Sequence, residues 1–402
     1  MTYPSLPLGR LVPTAGVSPL RERESRALPA LGRRLSVVDP LLLTAVLGLC
    51  GFGSLLVYAA TRAQGAERHH DHLIYRHLAT AVAGLVVAAV VAGTDYRLLR
   101  VFAPIAYLMA LIGLVAVRTP LGVTLNGSHS WIVIGGMSVQ PVEFAKLALV
   151  LGLALLLAER RENTIRTRPG HTEVFSALGL AAVPIGLVLA QPDLGSVMVL
   201  IAVVAGVLVV AAVPVRWIIG LAVTATVGAV VIVQAHLLSQ YQIDRFAAFT
   251  NPDLDPTGLG YNAHQARIAV ASGGLTGAGL FHGSQTVGQF VPEQHTDFIF
   301  TVAGEQLGLL GAGAIVVAFA VLLWRGCVIT RRAPDLFGSL VCTGVVCWFA
   351  FQAFENIGMA LGLMPITGLP LPFVSYGGTA MMANLIGVGL LLNVHANSRT
   401  HG

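Results

Sequence analysis

Charge is what this sequence has least of. Only 11% of its 402 residues are Asp, Glu, Lys or Arg, where soluble domains carry roughly 25%, and the mean hydropathy is +0.78. A chain this poor in charge cannot cover a water-exposed surface, which excludes soluble domains and leaves a polytopic membrane protein. Lysine is almost missing. Of 24 basic residues 23 are Arg, and the single lysine, Lys146, lies inside an apolar run. The net charge of +5 is scattered over loop ends, as in proteins oriented by their membrane, so no nucleic-acid partner is implied. Cysteine is scarce too. Cys50, Cys327, Cys342 and Cys347 lie in or beside apolar runs with no CxxC or Cys/His spacing, so neither disulfide staples nor a zinc site is expected.

What is present is a series of apolar runs. A spanning helix needs about 20 apolar residues, and runs that meet this fall at 39–60, 74–93, 99–117, 141–158, 174–190, 195–212, 217–236, 298–324, 337–361 and 376–394. The expected fold is all-α and polytopic, with about ten transmembrane helices. With the N-terminus inside, 17 Arg fall on the inner side and six on the outer, which makes both termini cytoplasmic. Residues 1–38, rich in Pro and Arg, read as a disordered basic tail, residues 39–394 as the transmembrane domain and 395–402 as a short cytoplasmic tail. The large extracellular loop, about 237–297, joins the seventh and eighth spans and is the default functional loop.

The polar segments Asn126–Glu143, Gln191–Gly195, Tyr241–Glu305 and Pro365–Gly378 all belong to the outer face. In the long loop, Tyr261–Ala271 reads equally as an interfacial or a packing helix, with Ala263, Ala266, Val270 and Ala271 on one side. The glycines at 273, 274, 277, 279 and 283 either admit a ligand to the backbone or make turns. Thr296 and Asp297 have the chemistry of N-caps for a helix beginning at Phe298. Against a cap alone, Asp297, Thr301 and Glu305 recur at i, i+4 and i+8, and ionisable groups in such helices face cavities or partners. Gln140, Glu143 and Lys146 form a second stripe, where an isolated lysine would cost roughly 2.5–3.5 kcal/mol. Glu143 is its natural partner, either as a buried tie between helices or as part of a charged cavity floor. Asp193 in Gln191-Pro192-Asp193 reads first as a helix cap. Glu355, Asn356 and Asn384 add polar groups inside spans, and His69-His70-Asp71-His72 has metal-ligating residue types but reads better as an ordinary outer loop.

Several ordered blocks resemble one family. They are Asn126-Gly127-Ser128-His129-Ser130-Trp131-Ile132, Gln140-Pro141-Val142-Glu143-Phe144-Ala145-Lys146, Gln191-Pro192-Asp193-Leu194-Gly195 and Ala271-Ser272-Gly273-Gly274-Leu275. Two more are Pro292-Glu293-Gln294-His295-Thr296-Asp297-Phe298-Ile299-Phe300 and Leu371-Pro372-Phe373-Val374-Ser375-Tyr376-Gly377-Gly378. Over about residues 39–394 the chain resembles the SEDS proteins (shape, elongation, division and sporulation), the RodA and FtsW proteins of bacterial wall synthesis. Arg245-Phe246 before Asn251-Pro252, and the wording from Asn356 to Pro372, are closer to the elongation type. Two positions depart from the family pattern: Ser130 stands where Arg is usual before the Trp, and Gln306 replaces the second acid of a Glu-Glu pair.

The resemblance implies a peptidoglycan glycosyltransferase that polymerises lipid II at the outer leaflet of the bacterial cytoplasmic membrane. It implies work beside a class B penicillin-binding protein transpeptidase and other membrane proteins of the elongation machinery. Asp297 matches the family's essential acid, and Glu143 and Lys146 its span-four pair. The expected reaction is attack of a sugar 4-hydroxyl on a muramyl C1 bearing a polyprenyl diphosphate, with inversion and with Asp297 as general base. Lys146, Arg245, Arg267 or a divalent cation (Mg or Mn) would meet the leaving-group charge; no organic cofactor is expected. Expected substrate contacts are Arg245, Arg267, His295, Glu293 and Asp193, with Gln191, Glu305, Ser375 and Tyr376. A lipid flippase, a non-catalytic scaffold, and a division or sporulation paralogue are the alternatives.

Overall fold

The structure is a computed structural model that describes residues 38–62, 70–125, 128–162, 169–234, 243, 249 and 258–400. The expected N-terminal tail, apart from Val38, lies outside the described residues. Helices α1 (Pro40–Arg62), α2 (His70–Gly93), α3 (Tyr96–Ala116), α4 (Pro141–Glu162), α5 (His171–Leu189), α6 (Leu194–Val210) and α7 (Val215–Gln234) are followed by α8 (Leu259–Ser272) and the single turn α9 (Ser284–Val287). The chain closes with α10 (Ile299–Arg331), α11 (Leu336–Ala360) and α12 (Gly378–Thr400). Among the described residues, eight helices are long and apolar enough to cross a membrane, with Leu194–Val210 and Val215–Gly228 as shorter apolar stretches. Each expected span coincides with one helix. The last, α12, runs on to Thr400 rather than ending near residue 394.

One element departs from the all-α expectation. Between α3 and α4, β1 (Gly122–Leu125), β2 (Ser128–Ile134) and β3 (Met137–Val139) form an antiparallel sheet in the order β1-β2-β3. The β-branched run Ile132-Val133-Ile134 followed by Gly135-Gly136 is a hairpin signal. Both glycines have positive φ, 58° and 78°, and Ile134 pairs with Met137 across them.

The centre of the bundle is α4, α11 and α12, where Leu149, Leu153, Phe337, Trp348 and Phe349 are fully buried. By contrast α2 exposes Val82, Val86 and Val90 at four-residue intervals, and α3 exposes Val101, Ile105, Leu108 and Ile112. Apolar faces turned outward at helical spacing are what a lipid-facing wall requires.

One end of the bundle, where α1, α3 and α11 begin, is closed by caps and ion pairs. Asp39 accepts from the Leu42 amide at 3.1 Å and from Arg325 Nε at 3.0 Å. Burial disfavours the charged Asp39, but Arg325 and the Leu42 amide outweigh it and hold this carboxyl below its ordinary range. Asp335 caps α11 through the Gly338 amide at 2.8 Å and accepts from Tyr96 Oη at 2.5 Å, while Arg100 reaches both Asp335 at 2.8 Å and Glu162 at 2.9 Å. The other end carries the polar segments. There α1 crosses the 373–374 loop so closely that a Cβ on Gly53 would stand 2.5 Å from Val374 Cα. Gly53→Ala is expected to destabilise the protein by about 1–3 kcal/mol, whereas Gly51→Ala, with nothing within 4 Å of its Cβ, should not. Thermal unfolding of the two variants in detergent checks this.

Candidate functional site

Local chemistry at the polar end brings separate segments together. Pro141 opens α4 at a position that needs no amide hydrogen, which places Gln140 at the helix mouth. Asp193 caps α6 by accepting from the Ser196 amide at 3.0 Å and from Ser196 Oγ at 2.8 Å, so the cap expectation holds. Residues 291–298 fold into a turn over one carbonyl, that of Glu293, which accepts from the amides of Thr296 (3.2 Å), Asp297 (3.0 Å) and Phe298 (3.2 Å). Glu293 adopts φ 50°, a conformation costly for a side-chain-bearing residue and typical of functional turns. Two further bonds fix the turn: Asn356 Nδ2 donates to the Asp297 carbonyl at 2.7 Å, and the Tyr376 amide donates to the His295 carbonyl at 2.9 Å.

These segments enclose a cavity of about 330 Å3, lined by Ser130, Trp131, Gln140, Pro192 and Asp193, by Asn262 of α8, and by Pro292, Glu293, Thr296, Asp297 and Phe298. The remaining wall is Ile366, Thr367, Gly368, Pro370, Tyr376, Gly377, Thr379 and Ala380. All four polar segments singled out in the sequence contribute to it. Of the expected site residues, Asp297, Glu293, Asp193 and Tyr376 line it, giving the cavity three carboxylates and a phenol.

The others lie elsewhere, for reasons visible in their bonds. Asp297 is not the N-cap: α10 begins at Ile299, the cap position is Phe298, and no side chain caps it. Since Asp297 belongs to the turn, the stripe with Thr301 and Glu305 is not one helical face. Thr301 Oγ1 donates to the Phe298 carbonyl at 2.7 Å, and Glu305 is buried against α9. Lys146 does not reach the cavity floor. It is fully buried, donates to Glu143 Oε1 at 2.8 Å and Gln352 Oε1 at 2.9 Å, and stands 5.2 Å from the centre of the Trp348 ring. Gln352 ties the lysine to the cavity wall, because its Nε2 donates to the Pro370 carbonyl at 2.8 Å. Gln191 Nε2 is spent on the Leu114 carbonyl at 2.9 Å, and Ser375 Oγ accepts from the Leu371 amide at 2.8 Å. Arg267 lies in a neighbouring cavity of about 20 Å3 with Ala263, Met359, Gly362 and Met364. Arg245 lies outside the described residues.

The helix α8 buries Ala263, Ala266 and Ala269 against α10 and α11, so it is a packing helix, with Ala269 rather than Ala271 on the buried side. The glycines after it admit the chain to α10 rather than to a ligand: a Cβ on Gly273 or Gly277 would strike the carbonyls of Gly304 or Gln306. Reading the sequence missed Gln352, Asn262 and Thr379. An intramembrane amide one turn before Glu355 and Asn356 was the available signal for Gln352; a lone Asn or Thr on an outer segment carries none.

His295 sits beside the cavity with its ring centre 5.7 Å from that of Tyr376. Burial lowers its pKa from 6.5, against the pull of the Glu293 carboxylate. The folded protein therefore favours the neutral imidazole, and this contribution to stability is present above the unfolded value and lost as pH falls below it. Unfolding midpoints should drop from pH 7.5 to 5.5, more steeply for the natural protein than for His295→Gln; equal slopes would count against the assignment.

Fold and cavity together define a multi-pass membrane protein organised around a polar, acid-lined site at one end of its helices. The family model described as "Cell cycle protein", for FtsW, RodA and SpoVE, matches residues 40–400. The chain belongs to this family, the SEDS proteins. It is 36% identical over 364 residues to stage V sporulation protein E of Bacillus subtilis, covering 90% of this chain and 98% of that one. It is 35% identical over 363 residues to the peptidoglycan glycosyltransferase MrdB of Escherichia coli K12, covering 90% and 94%. Its fold matches, with a TM-score of 0.75 and 30% identity over 90% of this chain and 98% of the other, a chain from a peptidoglycan synthase complex studied for the structural coordination of polymerization and crosslinking.

Proposed function

We propose that this chain is a peptidoglycan glycosyltransferase that polymerises lipid II at the outer leaflet of the bacterial cytoplasmic membrane, with Asp297 as general base. The observation that carries the reading is the placement of Asp297 on the wall of the cavity where all four polar segments meet. An acceptor sugar hydroxyl held there passes its proton to the carboxylate as its oxygen bonds to C1 of the donor, and the bond from C1 to the diphosphate oxygen breaks. A single displacement inverts C1 and needs no covalent intermediate. The outward-facing apolar walls of the helices leave the prenyl chains in lipid while the sugars enter the cavity.

The leaving diphosphate needs positive charge. The burial of Lys146 argues against direct contact, and Arg267 is a described cation whose cavity adjoins the site through Ile366, which borders both. Asp193, Glu293 and Asp297 line the cavity but are not gathered into a metal-sized set of ligands. Among the described residues no three ligating side chains converge, so no step is assigned to a metal.

A fold neighbour from a peptidoglycan synthase complex that coordinates polymerization and crosslinking supports a partner that cross-links the strands, which we assign to a class B penicillin-binding protein. Elongation is the role favoured by the Asn356–Pro372 wording. Restoration of rod shape in cells depleted of their own elongation protein tests that role. Labelled lipid II with the purified protein in detergent tests the activity: glycan polymer is expected, and an inert protein would leave a scaffold or a flippase.

A further inference from the structure

Glu305 stands on α10 away from the cavity, 1% exposed, and its donors all come from one short segment. Its Oε1 accepts from the Gln285 amide at 2.6 Å, and its Oε2 from the Thr286 amide at 2.8 Å and Thr286 Oγ1 at 2.5 Å. The approach leaves no room for a side chain, because a Cβ on Gly283 would lie 2.6 Å from the carboxylate carbon. A carboxylate withdrawn from water requires such donors. Here they also tie α9 to α10.

The link continues toward the cavity. The Thr286 carbonyl accepts from Gln294 Nε2 at 3.1 Å, and Gln294, 2% exposed, belongs to the turn in which the Asp297 amide donates to the Glu293 carbonyl at 3.0 Å. From Asp297 the chain returns through the first two turns of α10 to Glu305, so bonds and backbone close a ring.

The need for a ring lies in α10 itself. The helix is interrupted at Gly308, with φ 64° and ψ −161°. Across the break the amides of Ala278 and Gly279 donate to the Glu305 and Gln306 carbonyls at 2.9 and 3.0 Å, and the Leu309 amide donates to the Gly274 carbonyl at 2.9 Å. The stub Ile299–Leu307 is therefore held by the glycine-rich loop rather than by a continuous helix, and the turn bearing Asp297 hangs from that stub.

We propose that Glu305 is a positioning residue whose carboxylate, acting through Thr286 and Gln294, sets where the Asp297 carboxylate stands in the cavity. The proposal rests on the assignment of Asp297 as the base. A base displaced by about 1 Å can lose on the order of 100-fold in rate, so a device remote from the substrate can govern turnover without touching it.

The test uses the full chain in detergent, with Thr286→Val, Thr286→Ser, Glu305→Gln and the Glu305→Gln/Thr286→Val pair. Two quantities are read: turnover and KM on labelled lipid II, and amide hydrogen exchange over residues 291–297. Thr286→Val is expected to lower kcat by about tenfold or more, with KM held within about twofold, and to speed exchange in 291–297. Thr286→Ser, which keeps the hydroxyl, is expected to recover both. The pair should be no worse than the poorer single change, since both break one chain of bonds.

Unchanged exchange in Thr286→Val, failure of Thr286→Ser to recover, or losses that multiply in the pair would each overturn the proposal. If Glu305→Gln does not fold, the two Thr286 variants decide alone. If the natural protein makes no glycan, the proposed activity falls, while exchange still reports whether Thr286 holds the turn.

Discussion

Asp297→Asn is expected to give a folded, membrane-inserted protein that makes no detectable glycan. The substitution keeps side-chain size and leaves the two main-chain bonds of residue 297 in place, the amide to the Glu293 carbonyl at 3.0 Å and the carbonyl accepting from Asn356 Nδ2 at 2.7 Å. Neither main-chain bond depends on the carboxylate, so the backbone of the turn is kept. The chemistry does depend on it, because an amide cannot take the proton of the acceptor hydroxyl, and a positioned general base contributes about 10²–10⁴-fold. The loss should fall on kcat with KM little changed, the mark of an interaction made in the transition state. Asp297→Glu keeps the charge but moves it by about a bond length, and should retain an intermediate rate. The measurements are polymer yield from labelled lipid II and the unfolding midpoint, taken on the same preparation. Polymerisation by Asp297→Asn at the natural rate would sink the base assignment. Movement of the lipid across vesicles without polymer, unaffected by the change, would favour the flippase reading.

The architecture was legible from composition because crossing a membrane is a property of length and hydropathy, and both survive in the sequence. For that reason each of the ten expected spans coincides with a helix. The polar segments were legible as functional for a related reason: Trp131, Asp297 and Tyr376 occur where an apolar chain has little structural need of them. Helical periodicity failed where the backbone is not helical. Counting from Asp297 to Glu305 at four-residue intervals assumed a helix through Phe298, but Glu293 turns the chain at positive φ and the helix starts two residues after Asp297. Gly308 gave no sign of a break, since glycine occurs freely in membrane helices. Only the docking of Gly273–Gly279 against the opened carbonyls identifies it. The role of Lys146 was equally hidden. Spacing paired it with Glu143, but depth in the bundle is set by Gln352 and Trp348, about 200 residues away in the chain.

Lys146→Met carries the second large effect, and it falls on stability. The lysine is 0% exposed and its partner Glu143 1%. Among the described residues, Oε2 of Glu143 has no hydrogen-bond partner even with the lysine in place. Removing the ammonium leaves a buried carboxylate with nothing to offset its charge, and breaking such a pair costs about 3–5 kcal/mol. The double change Glu143→Gln/Lys146→Met removes both charges and should recover most of that loss, since apolar or neutral replacements of buried pairs are often neutral or stabilising. Denaturation midpoints of the single and double variants decide it. A single variant as stable as the natural protein would show that the pair does not hold the bundle together. Turnover then separates stability from chemistry. Gln352 Oε1 loses its lysine donor in both variants but keeps Trp348 Nε1 at 2.7 Å, while its Nε2 continues to hold the Pro370 carbonyl in the cavity wall. With that wall in place, the double variant should regain stability and, with a slackened Gln352, only part of its polymerisation rate.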